Sequence, residues 1–106
     1  MFASRDSAVI DALDDAHARV GAAQRDLLEL IAQADRGEAW VDQGARDMAH
    51  WVSIRYGVSC WKARRWIAAA YALETLLQVA RALEDGVLGL DKVVELTRFA
   101  SPETES

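Results

Sequence analysis

One pattern constrains this chain more than any other. Val9, Leu13, Ala16, Val20, Ala23, Leu27, Leu30 and Ala34 follow one another at spacings of four and three, without interruption, over about four heptads. Apolar residues at that spacing line one side of an α-helix. Ile10, Leu28 and Ile31 widen the stripe beyond a strict seam. Ser7 is placed to cap the helix, the pattern runs to about Asp35, and Gly37 is expected to stop it. At 1.5 Å per residue such a helix is roughly 43 Å long. A compact chain of this size has a radius of gyration of about 13 Å. The helix is therefore expected to overhang its own domain. Either the exposed seam (Val9, Leu13, Val20, Leu27 and Leu30) takes a second copy of the chain, or an alanine-rich outer stretch stays wet.

The rest of the chain reads as more helices. Proline occurs once, at Pro102, and 52% of residues are hydrophobic. A loop from Arg36 to Gln43 carries Trp40. A second helix is expected from Gly44 or Ala45, with Met48, Trp51, Val52 and Ile54 facing inward and Gly57 ending it. Ser59 caps a third helix through Ala63, Trp66, Ile67 and Ala70. The apolar pattern continues through Leu73, Leu76, Leu77, Ala80 and Leu83. No residue clearly breaks it, although Thr75 could cap a separate fourth helix. Glu84-Asp85-Gly86 closes this stretch, and Gly89-Leu90-Asp91 opens a last helix through Val93, Val94, Leu96, Thr97 and Ala100. The 106 residues make one all-α domain. Residues 1–36 form the long N-terminal helix, packed on a small bundle, 44–100, with a helix-turn-helix-like unit at 45–71. Ser101-Pro102-Glu103-Thr104 resembles a helix start, which implies that the chain is a fragment of a longer protein.

Charge singles out one segment. The net charge is −5, but Gly44–Ala72 holds Arg46, Arg55, Lys62, Arg64 and Arg65 against Asp47 alone. The segments on either side are acidic. An acidic chain is a poor non-specific nucleic-acid binder; a basic face on it can still bind. Residues early in the second helix of a helix-turn-helix reach base edges. Lys62, Arg64 and Arg65 are thus candidate contacts to double-stranded DNA, with Arg46 and Arg55 flanking. The competing reading is a solvated basic face. Trp61, among these bases, either contacts a partner or packs against the second helix. Trp51 and Trp66 sit at core spacing, and Trp40 pins the loop.

Other chemistry finds little support. The sequence has no asparagine, no glycine-rich phosphate loop, one cysteine (Cys60) and two separated histidines, His17 and His50. These build neither a zinc site nor a nucleophile–base pair. Asp11, Asp14 and Asp15 read as a solvated acidic face. No cofactor, metal or catalytic residue is expected. No run approaches a membrane span, the N-terminus lacks a secretory pattern, and a reducing cytoplasm is the default compartment.

Taken together, Gly44-Ala45-Arg46, Trp51, Arg55, Gly57-Val58-Ser59, Ala63-Arg64, Ala69 or Ala70, Leu83, Gly86, Leu88, Leu90-Asp91, Val93 and Ser101-Pro102-Glu103 resemble the actinobacterial domain of unknown function 222, or 13E12-repeat family. The resemblance covers most of the chain and rests on ordered spacing. It implies a helical region that precedes a C-terminal HNH endonuclease domain. Members place a Leu-Pro step after the third helix; here Leu73-Glu74-Thr75 stands there, so the third and fourth elements are open to continuity. No catalytic residue carries over.

Overall fold

The computed structural model describes residues 2–100, with the side chains of residues 2–5 left aside. Five α-helices, in order, are α1 (Phe2–Arg36), α2 (Met48–Tyr56), α3 (Cys60–Ala72), α4 (Leu77–Glu84) and α5 (Leu90–Leu96), with a 3-10 turn at Val41–Gln43. There is no strand among the described residues. The terminal Ser101–Thr104 cap lies outside them.

The radius of gyration is 16.4 Å and the long dimension 58 Å. Both exceed what a compact chain needs, because the N-terminal half of α1 projects past the bundle. Its C-terminal half packs on α3 and α4. The packed line is not the heptad seam. Gly21, Leu28, Ile31 and Ala32 are the buried residues of α1, with Ala18, Arg25 and Asp35 half-buried beside them. That line is about 100° round from the Val20, Leu27 and Ala34 row of the seam and about 160° from its Val9, Ala16, Ala23 and Leu30 row. Val9, Leu13, Val20 and Leu30 consequently stay 53–63% exposed, while Leu27 and Ala34 touch the core only from its shoulder.

The crossing of α1 over α4 depends on missing side chains. A Cβ on Gly21 would lie 2.2 Å from the Leu83 carbonyl oxygen, and one on Gly86 would lie 2.9 Å from Ala18 Cα. Gly86 also takes a left-handed φ of 76°, which closes α4. Around this crossing Leu28, Val52, Leu76, Leu83 and Val93 are the largest fully buried side chains. Arg25 pairs with Glu84 at 3.0 Å. Farther along, Tyr71 donates its hydroxyl to Asp35, and Arg36 pairs with Glu74 while lying 4.9 Å over the Tyr71 ring.

Several boundaries differ from the sequence expectation. α1 ends in a Schellman turn whose left-handed residue is Glu38 (φ 53°), not Gly37; Ala39 N–H reaches Ala34 carbonyl at 3.0 Å. α2 begins at Met48, because Asp47 supplies the cap, its carboxylate accepting from His50 N–H at 2.8 Å. Gly44 instead ends the preceding 3-10 turn. Ile54 points outward. The apolar run after α3 is broken. α3 stops at Ala72, and residues 73–75 turn so that both Leu73 and Leu76 are buried. Thr75 caps nothing, since its hydroxyl donates back to Ala72 carbonyl. α5 ends at Leu96, short of Ala100.

Candidate nucleic-acid interface

The basic segment is built from two helices and a short connection. Gly57 adopts φ 71° and donates its N–H to Ser53 carbonyl, ending α2. Ser59 then accepts from Lys62 N–H at 3.0 Å, a cap worth about 1 kcal/mol. Ala63, Ala69 and Ala70 turn into the core, which leaves the opposite side of α3 to Trp61, Arg64 and Ala68.

Trp61 is 63% exposed. It is not packed against α2, as one reading of the sequence expected. Its ring is covered on one side by the Arg65 guanidinium, 4.7 Å from the centroid. Trp51 and Trp66 are half-buried against the core, as their spacing indicated, and Trp40 packs there from the loop.

The five cations differ in what holds them. Arg65 donates to Glu95 of α5 at 2.8 Å, with its Nε buried and unpartnered. The hydrogen bond from Arg65 holds the Glu95 carboxyl below its ordinary range, reinforced by the charges of Arg65, Arg98 and Lys92 against the opposing effect of desolvation. Much of the Arg65 charge is thus answered within the fold. Lys62 lies 5.7 Å over the Trp66 ring, and Arg55 lies 5.1 Å over Trp51. Arg46 brings a guanidinium nitrogen to 3.9 Å from Cys60 Sγ, while its backbone N–H donates to His50 Nδ1. None of these three has an acidic partner among the described residues. Arg64 is exposed and makes neither an ion pair nor a ring contact among them.

α5 contributes what the sequence reading missed. A cleft of about 350 Å³ between α3 and α5 is lined by Trp61, Arg64, Arg65, Val94, Thr97 and Arg98. Arg98 reaches Glu95 at 3.5 Å and remains exposed. It lies outside the basic stretch in sequence, so only the packing of α5 on α3 brings it beside Arg64. A second cleft, about 300 Å³, lies on the other side of Trp61 and is more acidic, with Asp91 and Glu95 in its wall. No group of three His, Cys, Asp or Glu among the described residues is placed to hold a metal ion. None of the described helices is long and apolar enough to cross a membrane.

No curated protein and no solved structure matches the chain. A family model does, over residues 7–105. That span takes in α2 to α5 whole and α1 from residue 7 onward. The chain belongs to the family described as domain of unknown function 222 (DUF222).

Proposed function

We propose that this chain is a non-catalytic, DNA-contacting or DNA-positioning helical module of an HNH-nuclease-type parent protein. The observation that carries this reading is the Arg64 side of α3. An uncompensated arginine stands there beside an exposed tryptophan, and the turn after α5 adds Arg98 to the same cleft. Cations without acidic partners are the ones available to phosphates, and phosphate contacts supply most of the affinity. Lys62, Arg46 and Arg55 extend the positive surface, while Arg65, already engaged by Glu95, contributes less.

Gel shifts of a duplex at low salt test the reading. The wild-type chain is expected to shift the duplex, and the Lys62→Ala, Arg64→Ala, Arg65→Ala triple variant to lose the shift. Absence of any shift by the folded wild-type chain at low salt would sink the proposal.

A second reading, a structural and oligomerising role through α1, is favoured by one observation. The seam residues Val9, Leu13, Val20 and Leu30 remain more than half exposed along a projecting helix, and solvated apolar stripes of that length mark association surfaces.

A further inference from the structure

We propose that the α1 seam takes a second copy of this chain in antiparallel orientation, with Val20 of one copy facing Ala23 of the other. The proposal rests on the oligomerising reading above and adds to it the orientation and register.

Three observations carry it. The first is that most of the seam is open, Val9, Leu13, Val20 and Leu30 being more than half exposed. The mid-line of the seam lies about 130° round α1 from the line through Gly21, Leu28 and Asp35 that packs on the bundle. A second helix can therefore lie along the seam, bordering on one flank the cleft that Val20 and Leu27 share with Lys62, Trp66 and Leu90. Leu27 and Ala34, half-buried at the shoulder, would be covered further.

The second is volume. In the antiparallel register, each pair of residues facing across the seam has numbers adding to 43. Val9 meets Ala34, Ala16 meets Leu27, Val20 meets Ala23, and Leu13 meets Leu30. Three of the four kinds of layer match a larger side chain to an alanine, which keeps the interface evenly filled. A parallel, in-register pair would instead stack Ala16, Ala23 and Ala34 each on itself, between self-stacked layers of leucine or valine, and would leave gaps at the alanine layers.

The third is charge. Arg19 and Asp26 precede Val20 and Leu27 on the same flank of the seam, and both are exposed without a partner among the described residues. In the antiparallel register, Arg19 of each copy lies beside Asp26 of the other, giving two symmetric ion pairs. In a parallel pair, Arg19 would face Gln24 and Asp26 would face Ile31, which is buried in its own core.

Light scattering and disulfide trapping test this in a Cys60→Ala background. The parent is expected to be a dimer, and Leu13→Asp with Leu30→Asp to make it a monomer with an unchanged helical circular-dichroism spectrum, because both side chains are exposed in the single chain. Leu13→Cys chains alone should not cross-link, since their two sulfurs would stand roughly 25 Å apart. A mixture of Leu13→Cys and Leu30→Cys chains should give the mixed disulfide. Arg19→Asp or Asp26→Arg should each weaken association roughly tenfold, two pairs turning from attractive to repulsive, and the double swap should restore it. A dimer in which Leu13→Cys cross-links to itself would overturn the antiparallel register while leaving the oligomerising reading standing. A strict monomer at high concentration would overturn both.

Discussion

Gly21 of α1 passes so close to Leu83 of α4 that a Cβ on the glycine would lie 2.2 Å from the leucine carbonyl oxygen. The helix-to-helix contact there is backbone on backbone. In an exposed helix, replacing glycine by alanine stabilises by about 1 kcal/mol. Here the sign should reverse, because a carbonyl in a helical backbone cannot rotate out of the way as a flexible side chain can. Gly21→Ala is expected to cost about 2 kcal/mol, lowering the melting temperature by roughly 10 °C. Thermal denaturation followed by circular dichroism checks it, and a stabilised Gly21→Ala variant would refute the close crossing.

How far the sequence could be read follows from this contact. Features set by a residue and its chain neighbours were legible: the Ser59 cap, the left-handed turn at Gly57, the closure at Gly86 and the last helix from Gly89. The packed side of α1 was not. Periodicity ranks faces by the size of their apolar residues, and it selected Leu13, Val20 and Leu30. Packing instead selected the line with Gly21 and Ala18, because small residues allow two backbones to approach. The break after Ala72 carries neither glycine nor proline. It is held by burial of Leu73 and Leu76, a tertiary effect that no local signal announces. The basic island was visible as composition, but its surroundings were not. Glu95, thirty residues from Arg65, answers that charge, and Arg98 supplies another beside Arg64.

Glu38 holds the left-handed position of the turn after α1 with φ 53°. A side chain with a Cβ is strained there, and glycine is the residue such a position favours. Glu38→Gly is therefore expected to stabilise the fold by about 0.5–1 kcal/mol, after allowance for the greater freedom of the unfolded chain. The melting temperature should rise by roughly 3–5 °C. A fall would mean that the Glu38 side chain contributes more than its backbone strain costs.

Acid should weaken the fold through two carboxylates. Hydrogen bonds from Arg36 to Glu74 and from Arg65 to Glu95 are the leading causes that hold both carboxyls below the ordinary range. A carboxyl whose folded pKa is depressed adds stability above its unfolded pKa, and that stability is lost as pH falls through the folded value. The melting temperature is expected to drop as pH is lowered through and below the usual glutamate range, and the drop should be shallower in Glu74→Gln and Glu95→Gln. Tyr71 works at the other end. Its hydroxyl donates to Asp35, which raises its pKa, so its contribution is present below the usual tyrosine range and lost as pH rises through the higher folded value. Tyr71→Phe should flatten the alkaline limb. Acid and alkaline limbs unchanged by these substitutions would remove the three hydrogen bonds from the stability of the fold.

Glu95 also sets how much of the basic segment reaches a partner. It lies 2.8 Å from Arg65 and 3.5 Å from Arg98, in the acidic cleft across Trp61 from the one that Arg64 lines. An acid there competes with phosphate for both guanidiniums and repels the phosphate itself. Glu95→Gln keeps a hydrogen-bond acceptor of the same shape and removes the charge. If DNA binds this face, Glu95→Gln should tighten binding several-fold at low salt and steepen the dependence of log affinity on log salt by about one contact. Arg64→Ala should do the reverse, making the dependence shallower by about one contact. Arg98→Ala should weaken binding less in the wild-type background than in Glu95→Gln, where its competing carboxylate is gone. Fluorescence anisotropy of a labelled duplex titrated across a salt series measures all three. Equal affinities for wild type and Glu95→Gln would place the DNA elsewhere on the molecule, because a phosphate beside Arg65 and Arg98 cannot be indifferent to the carboxylate that pairs with both.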